Sequence, residues 1–402
     1  MPEFLLRKAR SHAERVNSNW QAKFITRPSV ETPPADSVWL QSNDYLSLGY
    51  EPAISAAWRN ELGQGGLSVM MSAVFEREGN LAGLFEKEIA RHMGAESAIL
   101  CQSGFAANCG LIEVLARLGV PVYIDFLAHR SMWFGAMGGG VRPVPFLHNS
   151  TGDLEKRVRR HGPGIILIDS VYSATGAVAP LRDFANFALV NDCVLVVDES
   201  HSLGTHGRWG EGMVARDGLE HLVHYRTASL AKAFCGPGGV IVGDYDLLEM
   251  LRFEGAPQVF SSATLSCNAA GFLEALRIIR RSGARRRRLR TNAMRMRRGL
   301  RDKGLRLGNT ESQIMSLYPG PEKTTVAVKS FLEKRGVFGS VFAWPATPRN
   351  RSLIRFSVRQ DHTRSELQRV IDACGELALE FNVQLWRPLA EFARPESAVK
   401  TR

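Results

Sequence analysis

The sequence predicts an α/β protein with a mostly parallel sheet and a smaller α+β domain at its C-terminal end. A chain of 402 residues that is 45% hydrophobic and 23% charged can bury a large core and form more than one domain. Between residues 97 and 243, short runs rich in valine, isoleucine and leucine alternate with segments of helical periodicity. Such continuous apolar runs are typical of strands covered on both faces, as in a parallel sheet.

The predicted elements divide the chain into three regions. Residues 1–55 are expected to form a helical arm and a short strand, residues 56–290 the large α/β domain, and residues 291–402 the α+β domain. The predicted strands of the large domain are SAILCQ, PVYIDF, VRPVPF, GIILIDSV, CVLVVDES, LVHYRTASL and GGVIVGD. Those of the C-terminal domain lie in ESQIMSLYP, VFGSVFAWP and SLIRFSVR. Its predicted helices are KTTVAVKSFLEKRG and a segment that begins with the capping-box spacing of Thr363 and Glu366.

The net charge of +11 arises largely from one arginine-rich segment, Arg277 to Gly304. The segment predicts a long surface helix that is interrupted near Ser282 and Gly283. It lacks interleaved aromatic residues, and no nucleic-acid-binding module is recognisable. A solvated face is therefore favoured over a patch for an anionic substrate such as coenzyme A, and both are favoured over a nucleic-acid site.

Several protein classes are disfavoured by what the sequence lacks. No apolar run reaches the length of a membrane span, and the N-terminal segment does not resemble a signal peptide. The six cysteines are scattered, without CxxC pairs or zinc-ligand spacing. We therefore expect a cytoplasmic protein with reduced thiols, no metal site and no membrane partner.

Chemically useful residues follow the predicted strands, and ligands of open α/β sheets bind beyond the carboxyl ends of strands. CVLVVDES delivers Asp198 and then His201, and PVYIDF is followed by His129. SAILCQ delivers SGFAAN at the start of a helix, where backbone N–H groups and a hydroxyl could hold a phosphate. Each of these residues taken alone also fits a purely structural role.

The stretch TASLAKAFCGPGG places Lys232 among small apolar residues. A desolvated lysine has a lowered pKa and can form a Schiff base with a carbonyl group, although a lysine at a helix end is an ordinary alternative. Pyridoxal phosphate needs this set as a whole: a lysine for its aldehyde, a carboxylate for its ring nitrogen and a cradle for its phosphate. The sequence therefore predicts pyridoxal phosphate as the cofactor.

The motifs resemble those of the α-oxoamine synthases, which are pyridoxal-phosphate-dependent transferases of fold type I. The stretches that carry the resemblance are SNDYLSL, SGFAAN, DFLAHRSM, DSVYSATGAVAPL, VVDESHSLGTHGRWGEG, TASLAKAF and VFSSA. The resemblance implies that Lys232 carries the cofactor, that Asp198 pairs with its ring nitrogen, and that His129 stacks on the ring. Further residues implied in the site are His201 and Ser173 near the phenolic oxygen, Ser103, Gly104, Phe105 and Ser229 at the phosphate, Ser262 at the partner subunit's phosphate, and Arg355 and Asn43 at the substrate.

The resemblance extends to the quorum-sensing branch of the family, the α-hydroxyketone autoinducer synthases, through LQSNDYLSL, RHGPGII, DESHSLGTHG, ESQI and GVFGSVF. It implies a homodimer with shared active sites that condenses a medium-chain acyl-CoA with S-adenosylmethionine or 2-aminobutyrate and releases carbon dioxide. A biosynthetic synthase that uses glycine, alanine or serine is the alternative. LSVMMSAVFEREG replaces the Gly-Ser-Arg segment of those enzymes, and its Met70 and Met71 fit either an acyl-chain pocket or ordinary core.

Overall fold

The computed structural model describes residues 2–18, 28–64, 71–75 and 79–392. Its strands in chain order are β1 (Val38–Trp39), β2 (Ser97–Cys101), β3 (Val122–Asp125), β4 (Val144–Phe146), β5 (Ile165–Asp169), β6 (Val194–Asp198), β7 (Tyr225–Ser229), β8 (Gly239–Gly243), β9 (Ile314–Gly320), β10 (Val337–Phe338), β11 (Ser340–Phe342) and β12 (Ser352–Ser357). Every strand predicted from the apolar runs is confirmed.

The α-helices are α1 (Glu3–Ser18), α2 (Pro52–Gly63), α3 (Leu81–Met93), α4 (Gly104–Ala116), α5 (Arg130–Gly138), α6 (Thr151–His161), α7 (Leu181–Val190), α8 (Met213–Arg216), α9 (Tyr245–Glu254), α10 (Ala256–Val259), α11 (Ser266–Arg281), α12 (Gly283–Asp302), α13 (Glu322–Glu333) and α14 (Arg364–Glu380). Short 3₁₀ helices span Ala73–Phe75, Val383–Leu385 and Leu389–Phe392. Among the residues that the structure describes, no helix has the length and apolar character needed to cross a membrane.

The large sheet has seven strands in the order β2-β8-β7-β6-β5-β3-β4. Strands β7, β6, β5, β3 and β4 are parallel, whereas β8 runs antiparallel to both β2 and β7. In register, Asp169 at the end of β5 lies opposite Asp198 at the end of β6, and Asp198 lies opposite Thr227 in β7. Pairing of these strands thus brings polar residues from three separate segments together at the carboxyl ends of the parallel strands.

The two faces of the sheet carry separate apolar cores. Ile166 and Ile168 of β5 pack into one cluster, and Ile165 and Leu167 pack into the other. Because side chains alternate along a strand, a continuous apolar run is needed when both faces are covered by helices. This packing explains why β5 and β6 read as unbroken runs of aliphatic residues.

The C-terminal part has a three-stranded antiparallel sheet in the order β11-β12-β9, and β10 pairs in parallel with β1. A third apolar cluster joins this sheet to α13 and α14 and also includes Leu40, just after β1. The predicted capping box is present at Thr363 and Glu366, at the start of α14. The segment after β1 is therefore tied to the C-terminal part, although it is distant in sequence.

The arginine-rich segment forms α11 and α12, with the predicted break at Ser282. The expectation of a solvated face is wrong for part of it. Arg286 is buried and donates to the backbone oxygens of Ile279 and Arg208 at 2.6 and 2.7 Å. Arg285 donates to the carbonyl oxygens that precede α2, at Leu46 and Ser47. These arginines satisfy backbone carbonyls in neighbouring turns, a role that charge composition alone does not show.

Of the two methionines in LSVMMSAVFEREG, the structure describes one. Met70 lies outside the described residues. Met71 is 44% exposed, and its carbonyl oxygen accepts a hydrogen bond from the Ala263 amide. The ordinary-core alternative is therefore wrong for Met71.

Candidate active site

Asp198 lies buried at the carboxyl end of β6. Its Oδ2 accepts a hydrogen bond from Asn108 Nδ2 at 2.7 Å, and its Oδ1 accepts one from the Ser200 amide at 2.8 Å. A buried carboxylate is costly unless it is hydrogen-bonded or paired with a cation. The two donors fix its orientation, and the arrangement suits a cationic ring nitrogen as a further partner.

Asn108 connects three elements below the site. It lies on α4, donates to Ser131 Oγ on α5 at 2.9 Å, and accepts from Thr227 Oγ1 on β7 at 2.5 Å. Its amide is thereby oriented so that the nitrogen, and not the oxygen, faces Asp198. Asn108 lies in the SGFAAN stretch, but no pattern in the sequence indicates its contact with Asp198.

His129 is the N-cap residue of α5 and lies close to Asp198 and Lys232. Its ring Nδ1 contacts Ser131 Oγ at 2.6 Å, and its amide donates to Asp169 Oδ1 at 3.1 Å. Burial lowers the pKa of His129, an effect that Asp198 opposes and Lys232 strengthens. The imidazole is held by Ser131 and the backbone by Asp169, and burial favours the neutral ring, which suits a ring that stacks on a flat ligand.

Lys232 lies in the turn after β7 and is partly buried. Burial lowers the pKa of its ammonium group, Arg355 lowers it further, and Asp198 raises it. A lowered pKa increases the fraction of neutral amine, which is the nucleophilic form. The environment of Lys232 therefore favours an amine that can attack an aldehyde.

The turn between β2 and α4 approaches the end of β7 very closely. A Cβ atom on Gly104 would stand 2.5 Å from Ser229 Cβ and 2.8 Å from Ser229 Cα, so glycine is required there. Ser103 caps α4 by accepting from the Ala106 amide at 3.0 Å. The helix N-terminus and two serine hydroxyls thus lie side by side, as an anion cradle requires.

Phe105 and Ser262 are placed differently from the other predicted residues. Phe105 is 48% exposed, and its ring contacts Phe134 with 5.8 Å between centroids, so its backbone is the part nearest the cradle. Ser262 is exposed, and its carbonyl oxygen accepts from Gln102 at 2.8 Å. Its role toward a partner subunit stays a prediction.

Arg355 on β12 reaches from the C-terminal part toward the sheet edge. It donates to the Ser173 carbonyl oxygen at 3.0 Å and to Asn43 Oδ1 at 3.1 Å, and its guanidinium lies over the Phe342 ring. Its Nε is buried without a hydrogen-bond partner among the described residues. An unsatisfied donor on a buried guanidinium costs free energy unless a ligand such as a carboxylate accepts from it.

His201 completes the site between Lys232 and Arg355. Its Nδ1 contacts the Tyr45 hydroxyl at 2.7 Å, and its backbone oxygen accepts from Gln313 Nε2 at 2.8 Å. Burial and the nearby charges of Lys232 and Arg355 hold the pKa of His201 well below its usual range. Tyr45, like Asn108, lies inside a stretch quoted for its motif but was assigned no role.

The residues present fit pyridoxal phosphate. The Gly104 cradle suits its phosphate, Asp198 suits its ring nitrogen, His129 suits its ring face, and Lys232 suits its aldehyde. The fold and this site together define a pyridoxal-phosphate-dependent transferase of fold type I. Within the residues that the structure describes, no cluster of metal-ligating side chains is present.

The chain belongs to the aminotransferase class I and II family, whose model matches residues 35–374. It is 42% identical over 344 residues to the CAI-1 autoinducer synthase of Vibrio campbellii, covering 86% of this chain and 87% of that protein. It is 31% identical to the serine palmitoyltransferase of Caulobacter vibrioides, with 86% and 87% covered. The resemblance to the α-oxoamine synthases is confirmed.

Solved structures support the same assignment. A serine palmitoyltransferase from S. paucimobilis with a bound pyridoxal phosphate–myriocin adduct aligns with a TM-score of 0.85 at 25% identity, covering 94% of this chain and 99% of that one. Another serine palmitoyltransferase, with pyridoxal phosphate as its internal aldimine, aligns at a TM-score of 0.80 and 26% identity, with 86% and 88% covered. The cofactor prediction is confirmed by this family membership.

Proposed function

We propose that the protein condenses a medium-chain acyl-CoA with an amino donor, S-adenosylmethionine or 2-aminobutyrate, and releases an α-aminoketone precursor of a quorum-sensing autoinducer. One observation carries the proposal: Lys232, Asp198 and Arg355 lie in one site of a chain that is 42% identical to a CAI-1 autoinducer synthase. The first two residues suit the cofactor, and the arginine suits the carboxylate of an amino acid.

Each residue has a proposed part in holding the cofactor. Lys232 holds the aldehyde, Asp198 keeps the ring nitrogen protonated, and His129 covers the ring. Ser103, Gly104, Phe105 and Ser229 hold the phosphate together with Ser262 from a partner subunit, and His201 and Ser173 lie toward the phenolic oxygen. When bound, pyridoxal phosphate supplies an electron sink for the carbanion formed at the amino donor.

The protein's own groups carry out the binding and the proton transfer. Arg355 binds the donor carboxylate through its unpartnered Nε, while Ser173 and Asn43 hold its other nitrogens. The Lys232 amine, when it is free, would remove the α-proton of the donor as a general base, a role that its lowered pKa suits.

The bond changes balance without a further reactant. A carbon–carbon bond forms between the α-carbon of the donor and the thioester carbonyl carbon, and the carbon–sulfur bond breaks to release coenzyme A. The carboxylate then leaves as carbon dioxide, and a proton returns to the same carbon. The products are one α-aminoketone, one coenzyme A and one carbon dioxide for each acyl-CoA and donor consumed.

A biosynthetic synthase that uses glycine, alanine or serine is the second candidate. It is supported by the serine palmitoyltransferase relative at 31% identity and by an 8-amino-7-oxononanoate synthase of Coprothermobacter proteolyticus at 29% identity. LSVMMSAVFEREG, which contains the exposed Met71 and replaces the Gly-Ser-Arg segment of those enzymes, is the feature that favours a different donor.

The deciding experiment supplies the purified protein with mixed acyl-CoAs and amino donors and identifies the product by mass spectrometry. We expect an aminoketone that contains the medium acyl chain and the α-carbon and side chain, but not the carboxyl carbon, of S-adenosylmethionine or 2-aminobutyrate, and no such product with Lys232→Ala. A product built only from glycine, alanine or serine would establish the second candidate.

The assembly and the location belong to the same proposal. We infer a homodimer, because Ser262, which the family resemblance assigns to the cofactor phosphate of a partner subunit, is exposed in the single chain. The six cysteines are unpaired in the structure, which fits a reducing compartment such as the cytoplasm.

A further inference from the structure

The Tyr45 hydroxyl lies buried between the two ends of the candidate active site. It is 2.7 Å from His201 Nδ1 and 3.2 Å from Asn43 Oδ1, and the same Asn43 oxygen accepts from Arg355. The segment that carries Tyr45 is itself fixed, because the Tyr45 carbonyl oxygen accepts from the Gln360 amide at 2.9 Å. The hydroxyl thus links the imidazole to the residues that surround Arg355.

The Tyr45 hydroxyl, which the side chains of Gln313 and Ser357 also contact, has one proton to donate, and two arrangements of that proton decide the tautomer of His201. In the first, Tyr45 donates to His201 Nδ1, so the single proton of the neutral ring lies on Nε2. In the second, Tyr45 donates to Asn43 Oδ1, and His201 carries its proton on Nδ1. The ring is neutral in both, because burial and the charges of Lys232 and Arg355 disfavour the imidazolium.

The distances favour the first arrangement. A hydroxyl donates at about 2.5–3.0 Å, and the contact to His201 falls inside that range, whereas the 3.2 Å to Asn43 falls outside it. The Asn43 oxygen also has a charged donor already, at 3.1 Å in Arg355. The Tyr45 hydroxyl itself stays protonated, because burial raises its pKa to about 12.

We propose that Tyr45 is a positioning residue that fixes His201 in the tautomer with its proton on Nε2. His201 then offers a hydrogen-bond donor, and no acceptor, at the nitrogen that Tyr45 leaves free. An anionic oxygen on a bound ligand is the partner that such a donor selects. The tautomer follows from the protein alone, and its use toward the phenolic oxygen rests on the proposed function.

The direct test is nuclear magnetic resonance of the holoenzyme with ¹⁵N-labelled histidine, in which His201→Gln identifies the His201 signals. We expect the wild type to show the proton on Nε2, and Tyr45→Phe to lose that fixed tautomer. A proton on Nδ1 in the wild type would overturn the proposal, and so would an unchanged His201 spectrum in Tyr45→Phe.

Tyr123→Phe is the matched control. Tyr123 is also fully buried, but its hydroxyl donates to the Gly162 carbonyl oxygen at 2.5 Å, outside the site. This variant removes a buried hydroxyl without touching His201, so we expect its His201 spectrum to match the wild type. A changed spectrum in both variants would assign the effect to general loosening and overturn the proposal.

Kinetics separate positioning from substrate binding. Because the loss of one hydrogen bond is worth about tenfold in an equilibrium constant, we expect Tyr45→Phe to lower kcat or cofactor affinity by about tenfold. The KM for the amino donor should stay within about threefold, because Ser173 and Asn43 still hold Arg355. A rise confined to that KM would contradict the proposal.

The failure of this proposal is distinguishable from failure of the proposed function. Wild-type protein that binds no pyridoxal phosphate refutes the function, whatever the tautomer. A wild type that binds the cofactor and turns over, with its His201 proton on Nδ1, refutes only the role of Tyr45.

Discussion

At the residue scale, Asn108 orients Asp198, the residue assigned to the ring nitrogen of the cofactor. It donates to Asp198 at 2.7 Å and is oriented by its bonds to Ser131 and Thr227. An amide in this place stabilises the ionised carboxylate, which must stay charged if it is to pair with a protonated ring nitrogen.

We predict that Asn108→Asp weakens cofactor binding at least about tenfold, because two adjacent buried carboxyl groups cannot both be ionised. Titration of the apoprotein with pyridoxal phosphate, followed by absorbance, measures the effect. Asn191→Asp is the control. The Asn191 side chain donates to the Phe187 carbonyl oxygen at the end of α7, away from the candidate active site. Equal dissociation constants in the two variants would refute this role of Asn108.

The residues that follow apolar strands are predictable from the sequence, whereas the residues that support them are not. Asp198 and Lys232 are recognisable because an unbroken aliphatic run shows where each strand ends and which side chain comes next. Asn108 acts on a residue 90 positions away, and Tyr45 on one 156 positions away. Contacts of that kind depend on how helices and strands pack, which no local pattern encodes.

At the element scale, α12 holds neighbouring turns together through its arginines. Arg286 is 7% exposed and donates to Ile279 and Arg208 carbonyl oxygens from two different nitrogens. Its neighbour Arg287 is exposed on the same helix. Substitutions at these two positions therefore compare a buried arginine with an exposed one in the same run of arginines.

Arg286→Ala should lower the free energy of unfolding by about 2–4 kcal/mol, because it removes two charged hydrogen bonds to backbone carbonyls. Arg287→Ala should change it by less than about 0.5 kcal/mol, as exposed substitutions usually do. Urea denaturation of the apoprotein gives both values. Equal losses in the two variants would show that Arg286 has no special structural role.

The periodicity of the sequence predicted the helix break at Ser282 and the strands of the sheet, because both depend on local pattern. It could not predict that Arg286 is buried, since that depends on the turn at Arg208 packing beside the helix. The requirement for glycine at position 104 was likewise not predictable from local pattern. It arises from Ser229, which belongs to a strand more than a hundred residues away.

At the scale of the whole molecule, buried histidines link stability to pH. Burial lowers the pKa of His92 and of His206 to about 4, from the usual value of about 6.5. Between pH 6.5 and 4 the unfolded chain therefore binds protons that the folded protein excludes. The contribution of each histidine is complete above pH 6.5 and is lost as the pH falls toward 4.

Replacing His92 with glutamine should make stability less sensitive to acid. We expect the fall in unfolding free energy between pH 6.5 and 4 to be shallower in His92→Gln, by up to about 1 kcal/mol per pH unit. Denaturation of both apoproteins at fixed ionic strength across this range measures the two slopes. Equal slopes would mean that His92 does not exclude a proton in the folded state.

The global arrangement was only partly predictable. The alternation of strands and helices predicted an α/β fold with a smaller C-terminal part, and the structure has both. The insertion of the antiparallel strand β8 between β2 and β7 was not predicted, because apolar runs carry no direction. The pairing of β1 with β10 is likewise a contact between the two ends of the chain.

The central claim is that Lys232 Nζ forms a covalent bond to the aldehyde of pyridoxal phosphate within a site where Asp198 faces the ring. Borohydride reduction of the purified holoenzyme, followed by digestion and mass spectrometry, tests it most directly. The account predicts one reduced phosphopyridoxyl adduct on the peptide that contains Lys232, and its absence in Lys232→Ala. Cofactor found on a different lysine, or no adduct after loading with pyridoxal phosphate, would contradict it.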